Sequence, residues 1–221
     1  MLFRSNQKQQ IAKTFGQYIP PELVAEMNRS GQQITVGGES RDMTVLFSDV
    51  RGFTTLTEAL GAQGTVTLLN DYFTLMVECI VKEGGMLDKY IGDAVMAAFG
   101  VPVEHDDDED RAVRCSINML KTLDHWNEER QAKGQLPVKI GIGLNSGNAS
   151  VGNFGSTQRF TYSCLGDEVN LASRLEGQCK TYQVDIIIGD NTRQLTADYA
   201  AVEIDSVMVK GKTEQIGRAH V

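Results

Sequence analysis

The chain has 221 residues, 41% of them hydrophobic and 23% charged, a balance that fits one globular domain with short additions. Its net charge of −8 argues against general electrostatic affinity for nucleic acid or an anionic membrane, so any phosphate site must be built locally. No apolar stretch reaches the roughly 18 residues that span a bilayer, and the polar start after Phe3 is unlike a signal peptide.

Residues 1–40 read as a lead-in. Gln7 to Phe15 is polar and helix-permissive, and Tyr18-Ile19-Pro20-Pro21 reads as a turn into a short helix. Gly37-Gly38 then punctuates the chain. Asp42 to Val50 reads as a strand in which Met43, Val45 and Phe47 alternate with Thr44, Leu46 and Ser48. Thr54 to Ala59 suits a helix start. Thr65 to Glu83 reads as a long helix, with Leu68, Leu69, Tyr72, Phe73, Met76 and Ile80 at helical spacing and Gly84-Gly85 as its stop. Met86 to Ile91 and Ala94 to Phe99 form a hairpin about Gly92-Asp93. Asp106 to Asn127 reads as a second helix with an acidic N-terminal turn. Strands follow at Val138 to Asn145, Ala149 to Phe154 and Tyr162 to Leu165. A helix over Asp167 to Gln178, a strand at Asp185 to Ile188, a short helix at Thr192 to Leu195 and a strand from Ala201 to Val209 complete the pattern. The order predicts an α+β fold: a ferredoxin-like, antiparallel-rich sheet covered by helices.

Asp49 ends one apolar strand, and Asp93 sits in the tight turn between two others. A strand-end aspartate destabilises unless something cationic meets it. Each alone reads equally well as a turn aspartate. Two of them on neighbouring antiparallel strands can hold divalent cations on a triphosphate. The turn Val50-Arg51-Gly52-Phe53 leads into a helix, so the backbone N–H groups at Gly52 and Phe53 can cradle phosphate. Asn170 and Arg174, four apart, project from one helix face. They suit an ordinary solvated face, or ribose orientation and phosphoryl stabilisation respectively.

The segments Phe47-Ser48-Asp49-Val50-Arg51-Gly52-Phe53 and Asp88-Lys89-Tyr90-Ile91-Gly92-Asp93, together with Gly166-Asp167-Glu168-Val169-Asn170-Leu171-Ala172-Ser173-Arg174, resemble the catalytic domain of class III nucleotidyl cyclases. The resemblance covers roughly residues 41–214. Residues 215–221 alternate poorly and read as a tail of extraneous origin, which leaves a last strand in doubt. The family implies two Mg²⁺ or Mn²⁺ ions per site on Asp49, Asp93 and the Val50 carbonyl, with Lys210 on the terminal phosphates. It also implies a head-to-tail homodimer in which Asp49 and Asp93 of one subunit face Asn170 and Arg174 of the other.

Base choice falls on Lys89 and Ser163. Adenylate-specific members of the family carry lysine three residues before the Gly-Asp glycine, as Lys89 stands here, where guanylate-specific members usually carry glutamate. Adenine N1 accepts a hydrogen bond, whereas guanine N1–H and its amine donate. The Ser163 hydroxyl can donate or accept, so it does not decide between bases. The expected reaction is ATP to 3′,5′-cyclic AMP and pyrophosphate. GTP cyclisation, or a nucleotide-binding regulatory domain without turnover, remain the alternatives. No histidine makes a metal or triad arrangement. The four cysteines form no zinc pattern and suit reduced core thiols of a cytoplasmic domain. A sensor preceding the domain is expected, and membrane attachment of a longer protein stays open.

Overall fold

The computed structural model describes residues 37–156, 158–206 and 218–220, with the backbone alone at 205–206 and 218–220. The expected segments before Gly37 lie outside the described residues, as do Lys210 and most of the 207–221 stretch. Strand β1 spans Gly37–Val50 and is followed by helix α1, Phe53–Lys82. The hairpin strands β2 and β3 are Met86–Ile91 and Ala94–Phe99, and helix α2 is Asp108–Ala132. Strands β4 and β5, Ile140–Gly155 and Phe160–Leu165, lead into helix α3, Asp167–Tyr182. Strand β6, Ile186–Ile188, helix α4, Asp190–Leu195, and strands β7 and β8, Glu203–Ser206 and Arg218–His220, close the order.

Among the described residues eight strands form one sheet, ordered β2-β3-β1-β4-β6-β8-β7, with β5 pairing β4 off that path. Every pairing is antiparallel except β4 with β6. The expected α+β architecture is therefore present, and β8 supplies a strand where the last one was in doubt. The alternation in β1 sends its two faces into different cores. Leu46 packs with Leu68, Tyr72, Met76 and Ile80 of α1 and with α2, while Met43, Val45 and Phe47 pack with Val151, Cys164 and Ala172 on the other face. Residues 68, 72, 76 and 80 are one helical turn apart and all are buried. α1 is broken at Gly61, whose backbone is non-helical, so the two expected helical stretches are distinct in shape though continuous in the chain.

Two expectations need correction together. The strands expected at Val138–Asn145 and Ala149–Phe154 are one strand, and β1 begins at Gly37 rather than Asp42. The register runs unbroken from Gly37↔Asn153 to Val50↔Ile140. Asn145 and Ser146 interrupt the apolar pattern, yet both are buried with partners. Ser146 Oγ lies 2.7 Å from Thr44 Oγ1 and 2.9 Å from Thr192 Oγ1, and Asn145 Nδ2 donates to Glu168 Oε2 at 2.7 Å. Satisfied polar groups let a ladder continue through a stretch that periodicity reads as a break. The acidic run at the start of α2 also does more than offset a helix dipole. Asp108 accepts the His105 N–H at 2.8 Å, and Asp110 accepts the N–H groups of Ala197 and Asp198 at 3.3 and 3.1 Å. The four cysteines are all buried and free.

Helix α3 lies directly on the β4 backbone because Gly143 has no side chain. A Cβ there would stand 2.3 Å from both Ala172 O and Glu176 N. Gly143→Ala should therefore destabilise the chain by about 1–3 kcal/mol or more, read as a lower denaturant midpoint. An unchanged midpoint would mean that α3 is free to shift.

Candidate active site

The expected metal-ligating pair meets at one end of the sheet. The register Ser48↔Val95 brings the end of β1 alongside the start of β3, so Asp49 faces Asp93 in the β2–β3 turn. The carboxyl of Asp49 is held up at about 6, first by burial, then by the charge of Asp93 and a hydrogen bond shared with it. The Val50 backbone opposes the shift, and no cationic side chain contributes to it. Two adjacent, partly desolvated carboxylates, with no side chain among the described residues lowering the Asp49 carboxyl, are a donor set that suits a divalent ion.

A third carboxylate, which the sequence reading overlooked, borders the pair. Glu176 is raised to about 7, by burial first and then by Asp49, with Arg51 opposing and Asp93 adding to it. Its Oε1 lies 2.7 Å from where a Cβ on Gly141 would stand, and Gly141 is the register partner of Asp49. The signal was present in the helical wheel. Two residues rotate a helix by about 200°, so Glu176 and Arg174 point to opposite sides of α3. Glu176 faces the pair in its own chain and Arg174 does not. Among the described residues no three His, Cys, Asp or Glu side chains converge at metal-ligand spacing. A cation on Asp49 and Asp93 would need its remaining ligands from backbone carbonyl, water or phosphate oxygens.

Gly52 adopts a left-handed conformation (φ 67°), which glycine takes without steric penalty, and caps α1 with no side-chain hydrogen bond. The first turn of α1 carries no acidic residue. Its leading N–H groups, including that of Phe53, are thus presented beside Asp49 in a form that suits an anion.

Asn170 is exposed and Arg174 half-buried on α3. Among the described residues neither side chain has a hydrogen-bond or ion-pair partner, and Arg174 is absent from the causes that shift Asp49 and Glu176. One chain thus does not bring these two residues to its own carboxylate pair.

Lys89 and Ser163, by contrast, come together within the chain. Lys89 Nζ donates to Ser163 Oγ at 2.8 Å across from β2 to β5. Asp88, also overlooked in the sequence, lies beneath them with its side chain fully buried. Strand β5 runs through Gly166 into α3, so Ser163, Asn170 and Arg174 belong to one continuous segment.

The family model described as "Adenylate and Guanylate cyclase catalytic domain" matches residues 37–218, and the chain belongs to that family. Relatives in several organisms agree. An adenylate cyclase of Anabaena cylindrica is 38% identical over 221 residues, covering 96% of this chain and 43% of that protein. The chain therefore spans less than half the length of that relative. Among solved structures, the adenylyl cyclase CyaB from P. aeruginosa superposes with a TM-score of 0.78 at 36% identity, over 84% of this chain and 95% of that one. The guanylyl cyclase Cya2 superposes at 0.73 and 34% identity, over 84% and 92%. The family is in general dependent on divalent metal ions. Among the described residues no helix is long and apolar enough to cross a membrane.

Proposed function

We propose that this chain is the catalytic domain of an adenylate cyclase, converting ATP to 3′,5′-cyclic AMP and pyrophosphate at sites shared between two copies. The observation that carries the reading is the adjacent Asp49–Asp93 pair, in which no cationic side chain among the described residues offsets Asp49. When bound there, Mg²⁺ or Mn²⁺ supplies charge neutralisation for the triphosphate and acidifies the ribose 3′-OH. Asp49 and Asp93, with the Val50 carbonyl, would hold the cations, and the N–H groups at Gly52 and Phe53 would donate to phosphate oxygens. The 3′-OH gives its proton to water as its oxygen attacks the α-phosphorus in line, the bond to the bridging oxygen breaks and pyrophosphate leaves. Asn170 of the other copy orients the ribose, and Arg174 donates to the phosphoryl oxygens as charge builds on them. Lys210 is assigned to the terminal phosphates on family resemblance alone.

Lys89 gives adenine N1 a hydrogen bond, and guanine N1–H would meet it as a second donor. Mismatching one such bond in a desolvated pocket costs about 1–3 kcal/mol, or roughly 5- to 150-fold. Lys89→Glu should therefore move kcat/KM toward GTP by a factor in that range. The test of the function is the purified chain with Mn²⁺ and ATP or GTP, with products separated by chromatography. Cyclic AMP formed faster than cyclic GMP is expected. Faster cyclic GMP would transfer the domain to guanylate cyclisation, and no cyclic product from either would leave a nucleotide-binding regulatory domain.

A further inference from the structure

Asp88 and Lys89 are successive residues of one strand, and successive side chains ordinarily point to opposite faces. Here both reach Ser163. The register of β2 against β3 slips between Leu87 and Lys89, and such an irregularity re-aims a side chain. The result is a hydrogen-bonded chain whose direction is fixed at each link. Cys164 N–H, which can only donate, gives its proton to Asp88 Oδ2 at 3.0 Å. Lys89 Nζ, also only a donor, stands 2.8 Å from Ser163 Oγ and 3.2 Å from Asp88 Oδ1. Ser163 Oγ lies 3.0 and 2.9 Å from the two oxygens of Asp88, so its own proton goes to that carboxylate. The serine is left with a lone pair and no proton to offer, and Lys89 keeps one N–H of its three. Ser163 is buried beneath Lys89, whose side chain is 38% exposed, so a base meeting the ammonium reaches the serine oxygen next.

We propose that Asp88 is a specificity-positioning residue: by holding the Ser163 proton it makes that hydroxyl a permanent acceptor beside the Lys89 donor. A donor next to an acceptor matches adenine N1 and its 6-amino group. Guanine in the same pose offers N1–H to a donor and O6 to an acceptor, and is mismatched at both. This rests on the reading that Lys89 and Ser163 meet the base. In an Asp88→Asn variant the Cys164 N–H requires the amide oxygen at the Oδ2 position. The amide NH₂ then takes the Oδ1 position and donates to Ser163. With Lys89 donating as well, both lone pairs of the hydroxyl are then taken, so it can no longer accept from the 6-amino group of adenine.

The test is kcat/KM for ATP and GTP, with Mn²⁺, of the wild-type chain, Asp88→Asn, Ser163→Ala and the double variant. Asp88→Asn should lower the ATP:GTP ratio about tenfold, and should leave the ratio unchanged when Ser163 is already alanine. Equal losses for both nucleotides, or the same ratio shift with and without Ser163, would mark Asp88 as a purely structural residue and overturn the proposal. The wild-type chain offers a check that needs no variant. Purine riboside triphosphate keeps N1 but lacks the 6-amino group, and should be used about tenfold less well than ATP; equal use overturns the acceptor role of Ser163. Wild-type preference for GTP would sink the ATP reading underneath, whereas an ATP-preferring wild type with an unmoved Asp88→Asn ratio sinks the role of Asp88 alone.

Discussion

Replacing Asp49 or Asp93 with alanine should abolish metal-dependent turnover, a loss of about a thousandfold or more, while the chain still folds. A group that holds the cations neutralising the triphosphate acts on the transition state by several kcal/mol, and each 1.4 kcal/mol is roughly tenfold in rate. Asp49→Asn separates catalysis from folding further. Burial and Asp93 raise Asp49 from 3.8 to about 6, and burial and Asp49 raise Glu176 from 4.5 to about 7. Raised carboxyls bind protons more tightly in the folded chain than in the unfolded one. Their contribution to stability is full below the unfolded values near 4 and is lost as pH rises through about 6 to 7. The metal-free chain should thus melt lower at pH 8 than at pH 5 on account of this cluster. Asp49→Asn removes one of the repelling charges, so it should melt higher than wild type at pH 8 without metal and show a flatter pH dependence. Mg²⁺ or Mn²⁺ should raise the wild-type melting temperature and leave that of Asp49→Asn nearly fixed. Near wild-type turnover in either alanine variant would remove the two-metal reading.

The strands and helices that carry the site were legible because their patterns are strong. Alternation in β1 and the one-turn spacing of Leu68, Tyr72, Met76 and Ile80 each correspond to one period and one burial face, and Gly92-Asp93 marks a tight turn. Asp49 and Asp93 could be paired from sequence since a strand end and a hairpin turn on adjacent strands have few places to be. What escaped were groups whose meaning depends on tertiary partners. A strand break was expected after Asn145, and only Thr44, Thr192 and Glu168 make Asn145 and Ser146 tolerable inside a continuous ladder. Asp88 looked like the neighbour of a functional lysine, and the register slip after Leu87 that turns it onto Ser163 has no sequence period. Glu176 stands two residues beyond the quoted motif, on the helix face opposite Arg174, and its meaning rests on the Asp49 and Asp93 carboxylates it meets there.

That two-faced helix leads to the second large effect. Glu176 lies against the carboxylates of its own chain, while Asn170 and Arg174 have no partner among the described residues. A complete site on this account takes Asp49 and Asp93 from one copy and Asn170 and Arg174 from another. Asp93→Ala chains and Arg174→Ala chains should each be inactive alone, since every site in either homodimer lacks one half. Mixed in equal amounts, they should recover activity, because one of the two sites in each heterodimer joins two intact halves. With random pairing about half the dimers are heterodimers, so about a quarter of the wild-type sites should return. The most direct measurement of the shared-site claim is therefore cyclic product formation by that mixture, with heterodimers confirmed by differently tagged chains. Recovery to about a quarter of the wild-type rate is the expected result. A mixture that stays inactive although heterodimers are present would contradict the shared site.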